Sequence, residues 1–277
     1  MALLNSADPN KDMNFLDHLE ALRWHLVRAT IAILVIAVVA FIYKEILFDV
    51  IIFGPKSPDF ITYRYLCYLS QKFSIDMCIT KIPFSLISTN MAGQFTTHMV
   101  AAGIAGLIVG FPYLLWEIWS FVKPALSTKE KQYTRGIVLS ASLLFFTGVC
   151  FGYFVLSPLS INFLGSYQVS AQVQNAINLD SYISIVSLMT LACGVVFELP
   201  ILVYFLTKIG IISPAFMRAY RKHAFIVNLI VAALITPSPD VTSQMLVAVP
   251  LFILYEISIY VSAVVSRNDA KRLKANS

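Results

Sequence analysis

The apolar positions of this chain fall in long unbroken runs rather than in a short alternating rhythm. Runs of about 20 apolar residues mark membrane-crossing helices, and such runs occupy residues 25–44, 96–122, 136–157 and 182–207. Two further runs are weaker: 245–265, and HAFIVNLIVAALIT at 223–236, which offers about 14 residues or about 21 Å of helix, against a bilayer core of about 30 Å. Such a span must thin the bilayer or be shielded by its neighbours; the alternative is a re-entrant segment. Pro112 and Pro200 lie inside the second and fourth runs. The pattern predicts an all-α polytopic membrane protein with six transmembrane helices. Its 277 residues form a single membrane domain: a cytoplasmic segment 1–24, a bundle 25–265 with a long outer loop 45–95, and a tail 266–277.

Between the runs, the polar segments carry their own patterns. In MNFLDHLEALRWHLVR, residues 13–28, Phe15, Leu16, Leu19, Leu22 and Leu26 recur at helical spacing with charges between them. This predicts an amphipathic helix lying on the membrane surface before the first span. Pro124 ends the second span, and Ser127 or Thr128 can cap the helix after it. In ITPSPDVTSQ, residues 235–244, two prolines force a tight crossing and Asp240 can cap the last helix.

Composition supports the membrane reading. The chain is 58% hydrophobic and 13% charged, where soluble domains carry about 25% charged residues. Residues 1–25 are polar and lack a small-residue cleavage site, so the first apolar run is expected to remain as a span. The net charge of +5 reads as topology rather than nucleic-acid binding. Fifteen of the 20 Lys and Arg residues precede or begin the first span, or lie in the 2–3 loop, the 4–5 loop or the tail. The positive-inside rule therefore places both termini in the cytoplasm.

Candidate chemistry is sparse. Catalytic and phosphate-binding motifs are missing, so an enzyme is not expected, and neither is a cofactor or metal. Cys150 and Cys193 sit inside apolar runs. Cys67 and Cys78 share the outer loop; a disulfide between them requires that the loop face an oxidising compartment, and the sequence leaves paired and free thiols both open. The four histidines are scattered; His18 and His25 share a helix face near the membrane surface, where an interfacial role is expected.

Three carboxylates stand in or near the spans, where each costs on the order of 3 kcal/mol at a helix centre. Glu117, beside Trp116 and Trp119, reads as an interfacial anchor. Glu256 is deeper. Glu198 interrupts ACGVVFELPILVYF two residues before Pro200, which deprives the Val196 carbonyl of its helical partner. A carboxyl group there is expected to be protonated or hydrogen-bonded rather than bare in lipid. From the residues alone, Glu198 and Glu256 could serve as proton sites of a proton-coupled secondary transporter, and a purely structural scaffold is a third reading. No inverted pair of broken segments supports a transporter.

In order along the chain, FLDHLEALRWHL, FPYLLWEIWSFVKPALSTKEK, FELP, TPSPDVTSQ and YEISIY resemble the TatC family, the core subunit of the twin-arginine protein translocase. The resemblance implies a concave, glove-like arrangement of six helices with the last two short. It implies a function without bond-making chemistry: binding the twin-arginine signal peptides of folded cargo, recruiting single-span TatA and TatB-type subunits, self-association, and transport driven by the proton-motive force in the cell inner membrane. By the same resemblance Glu130, Glu20, His18, Arg23 and Leu19 belong to signal-peptide binding. Glu198, Gln244 and Thr242 meet partner helices, and Phe121, Pro124, Pro237 and Asp240 are structural. One departure stands out. The family motif runs His-Leu-x-Glu-Leu-Arg, and here Ala21 occupies the glutamate position; either Glu20 compensates from the neighbouring position, or this chain has lost part of the site.

Overall fold

The computed structural model describes residues 15–73, 78, 84–122, 134–170, 175–236 and 241–276. Among the described residues, ten α-helices and one pair of short strands order as α1 (Phe15–Ile42), α2 (Ile61–Phe73), β1 (Ser85–Ile87), α3 (Gly93–Val122), α4 (Thr134–Phe151), α5 (Ser157–Ser166), β2 (Ala176–Asn178), α6 (Leu179–Val196), α7 (Leu199–Lys208), α8 (Pro214–Ala219), α9 (Arg221–Ile235) and α10 (Val241–Asn276). A wide helical turn, Gly152–Leu156, joins α4 to α5.

Five stretches among the described residues are long and apolar enough to cross a membrane: Glu20–Ile42, Gly93–Val122, Gly136–Ser166, Leu179–Lys208 and Ser243–Asn268. They coincide with the four strong apolar runs and the weaker one at 245–265. The sixth expected span is the 15-residue α9, about 22 Å long. Large apolar side chains such as Leu34, Val38, Ile42 and Leu234 are exposed, as befits surfaces whose solvent is lipid. The chain is a multi-pass helical membrane protein.

Two expectations about helix lengths change. The amphipathic segment is not a separate surface helix, because α1 runs without a break from Phe15 to Ile42. No glycine or proline interrupts those residues, so nothing stops the helix from entering the membrane as one rod. Of the last two helices only α9 is short; α10 extends over 36 residues. Past its apolar part the sequence SRNDAKRLKAN contains neither glycine nor proline, and the helix simply continues.

The helices pack through small residues. A Cβ on Gly106 of α3 would lie 2.8 Å from both the Ala37 Cβ and the Ile33 carbonyl oxygen of α1, and one on Gly110 would lie 3.1 Å from Ile33 Cγ1. Close backbone approach of this kind is how membrane helices associate without a hydrophobic drive. Gly148 and Gly194 do the same between α4 and α6, and Gly152 does so between the wide turn and α6. One core cluster gathers Leu47, Ile52, Ala101, Ala102, Ile161, Tyr182, Ile183 and Val186 toward the outer loops. A second joins α6, α9 and α10 through Met189, Cys193, Ala232, Ile235, Val247, Ala248 and Leu251.

The outer loop is built around backbone groups that need partners. A wide turn at Ile46–Ile52 follows α1. Tyr153 donates to the Ile51 carbonyl at 2.6 Å and Tyr182 to that of Ile52 at 2.9 Å. Tyr63 of α2 donates to the Pro55 and Pro158 carbonyls at 2.9 and 2.8 Å, with Thr62 bonded to Phe154 beside it. Burial pushes the Tyr63 phenol above its usual value. Cys67 and Cys78 form a disulfide. The strands pair in parallel, with Ser85, Leu86 and Ile87 opposite Ala176, Ile177 and Asn178, and tie the first outer loop to the second. At the other end of the bundle, α7 stops at Gly210 with φ of 79°. Ile211 N–H bonds the Leu206 carbonyl and Gly210 N–H that of Thr207, closing the helix. Ser213 then caps α8 by accepting from Phe216 N–H.

Candidate functional site

At the cytoplasmic end of the expected topology, α1 and α3 lie side by side. The glycine contacts at 106 and 110 set their antiparallel register, and that register brings His25 to Glu117. His25 Nδ1 donates to Glu117 Oε2 at 2.5 Å, and Tyr113 OH, one helical turn earlier on α3, donates to Oε1 at 2.7 Å. Arg28, three residues beyond His25 on the same α1 face, adds positive potential at this carboxylate. The Phe121 ring stands 6.3 Å from the imidazole, edge-on. Glu117 is 6% exposed. Beyond the anchor role expected for Glu117 and the interfacial role expected for His25, the two form a partly buried pair that fastens α1 to α3. Sequence reasoning missed the pair because 92 residues separate its members. The signal that could have found it is the Gly106/Gly110 spacing, which fixes the helix register.

A second polar group stands where the fourth span breaks. Between α6 and α7 the chain turns at Phe197 and Glu198, and Pro200 opens α7. Ile201 and Leu202 N–H both reach the Glu198 carbonyl, at 3.0 Å each. Glu198 Oε1 is buried with no hydrogen-bond partner among the described residues. Nearby, a groove of about 390 Å³ is lined by Ile137 and Ser140 of α4, Pro200 and Tyr204 of α7, and Val261 of α10. Gln244 Nε2 donates to the Leu229 carbonyl at 3.1 Å, which ties α10 to α9. Glu256 pairs with Arg221 Nη2 at 2.8 Å, both partly exposed. It is therefore engaged in a surface ion pair rather than free in the bundle interior.

Comparison with known proteins identifies the family of the chain. Residues 17–250 match the family described as Sec-independent protein translocase protein (TatC). The chain belongs to the TatC family. A TatC of Blattabacterium sp. subsp. Periplaneta americana is 41% identical over 92% of this chain and 97% of its own length. One from Carboxydothermus hydrogenoformans is 33% identical over 91% and 94%. Among solved structures, a crystal structure of the twin-arginine translocase receptor TatC in DDM superposes with a TM-score of 0.68 at 30% identity, covering 88% of this chain and 99% of that one.

In this TatC-family chain, several residues expected at the site are placed and others are not. Glu20 and Arg23 are exposed on the first described turns of α1. His18 and Leu19 belong to α1, but their side chains, like that of Thr242 in α10, lie outside the described residues, as do Glu130, Pro124, Pro237 and Asp240 altogether. Phe121 stands beside His25, Glu198 at the helix break and Gln244 against α9. The His98 ring stacks on Phe41 with centroids 3.9 Å apart, and His223 lies near Tyr220. Cys193 is buried, whereas Cys150 faces outward. No group of three or more metal-ligating side chains is gathered among the described residues. As a TatC, the chain is a protein translocase component.

Proposed function

We propose that this protein is the subunit of a twin-arginine translocase that binds the signal peptides of folded proteins and recruits TatA and TatB-type single-span subunits, with transport driven by the proton-motive force across the cytoplasmic membrane. The observation that carries the reading is the match along nearly the whole chain to TatC and to a solved twin-arginine translocase receptor. Both termini face the cytoplasm in this reading. Two unrelated features support that orientation: 15 of 20 basic residues on one side, and a disulfide on the other, where an oxidising compartment is needed to keep it.

Recognition falls to Glu130 of the 2–3 loop, which pairs with a peptide arginine, and to the α1 positions His18, Leu19, Glu20 and Arg23. A carboxylate takes a guanidinium through two parallel hydrogen bonds, which a lysine ammonium cannot reproduce. Recruitment falls to Glu198, whose unpartnered oxygen supports a role completed by a polar side chain from another helix, together with Thr242 and Gln244. Photocrosslinking from positions 130 and 20 tests the reading. A twin-arginine peptide should label at both, and a twin-lysine peptide much less; equal labelling by the two peptides counts against it.

A further inference from the structure

The missing acid at Ala21 and the buried pair at His25 lie on one face of α1. Positions 21 and 25 are four apart and therefore stack one turn above the other. The α1–α3 register is constant: Gly106 meets Ala37, Gly110 meets Ile33 and Glu117 meets His25. Continued by one turn, it sets Ala21 opposite Phe121, whose ring already borders His25. Ala21 has only a methyl group with which to cover the turn outside His25. The His25 side chain keeps 22% of its surface exposed, and that of Glu117 behind it 8%.

We infer that Glu117 is the carboxylate with which this chain receives a signal-peptide arginine in place of the acid absent at position 21, and that His25 holds its place until the arginine arrives. The inference rests on the signal-peptide reading above. The exchange is chemically balanced. His25 gives Glu117 one hydrogen bond; an incoming guanidinium gives two in a fixed fork, so displacing the imidazole raises the number of charge-assisted bonds. Tyr113 lies on the same helix as Glu117 and can keep its bond to Oε1. Arg28 opposes the newcomer by like charge, so a ligand must outbid an existing cation. A lysine ammonium replaces the imidazole with a single point contact and gains little. The displaced imidazole no longer ties α1 to α3, so binding at this place loosens the junction of the two helices.

The test uses the full-length protein in lipid nanodiscs and labelled twin-arginine and twin-lysine peptides. Glu117→Gln should weaken twin-arginine binding about ten- to a hundred-fold, with a smaller effect on the twin-lysine peptide. His25→Ala should tighten twin-arginine binding several-fold, an outcome that damage to the fold cannot produce. Ala21→Glu, added to Glu117→Gln, should recover most of the lost affinity. The assignment is overturned if wild type prefers the twin-arginine peptide while Glu117→Gln binds it as well as wild type, if His25→Ala weakens binding, or if the Ala21→Glu rescue fails. If wild type itself does not distinguish the two peptides, the signal-peptide reading falls, and this assignment with it.

Discussion

Ala37 of α1 and Gly106 of α3 touch almost backbone to backbone, so that a Cβ on Gly106 would lie 2.8 Å from that of Ala37 and 2.9 Å from its Cα. Neither helix can yield without moving the other. Gly106→Ala should therefore destabilise the protein by about 1–3 kcal/mol through overpacking. Gly103, one turn away on α3, meets nothing within 4 Å, and Gly103→Ala should be neutral or stabilising by up to about 1 kcal/mol. Thermal unfolding of the two variants in the same detergent checks the contrast. Equal melting temperatures would mean that the α1–α3 contact is slack.

Glu198 sets stability against assembly. Its Oε1 is buried without a partner among the described residues, and an unsatisfied polar atom costs about 1–3 kcal/mol. Glu198→Met fills the same volume without that cost. The isolated protein should melt higher, while co-purification with a single-span partner should fall. A variant that gains stability and keeps its partner would remove Glu198 from the partner interface.

The Cys67–Cys78 disulfide closes a loop with a sequence separation of 11. Cross-links of this size contribute about 2–3 kcal/mol by restricting the unfolded chain. Reductant should lower the melting temperature of wild type and leave Cys67→Ser/Cys78→Ser unaffected. The same shift in the double variant would trace the effect to something other than this bond.

Tyr63 makes the outer loop sensitive to alkali. Its phenol is raised by burial, so the folded state holds the proton more tightly than the unfolded chain does. The contribution is complete below the ordinary tyrosine value of about 10 and is lost as pH climbs beyond it. Melting temperature should fall above about pH 10, and Tyr63→Phe should make that fall shallower. At neutral pH the same variant should cost about 1–3 kcal/mol, since the Pro55 and Pro158 carbonyls both lose their donor. An alkaline limb unchanged by Tyr63→Phe would assign it to other groups.

The spans were legible because an apolar run long enough to cross a bilayer needs no partner to be recognised. Where α1 begins was less so. The charges among residues 15–24 suggested a surface helix, yet continuity depends on the absence of a breaker, and there is none. Pairings between distant residues could not be read at all. His25 meets Glu117, and Ser85 meets Ala176, only after helix packing has fixed the register. Glu198 lay between these cases. Its oddity was plain in the sequence, its position at a helix break followed from Pro200, and its lack of a partner emerged only from the packed bundle. The bond from the Gln244 amide to the Leu229 carbonyl likewise emerged only from the packed helices.

The sulfur bridge of the outer loop also bears on biosynthesis. In the proposed orientation, Cys67 and Cys78 meet an oxidant only after their segment has crossed the membrane. A molecule inserted upside down would present both thiols to the reducing cytosol and never acquire the bond. The covalent link thus records that the polypeptide was threaded the right way round, and a cell could tell correct from inverted copies by their thiols alone.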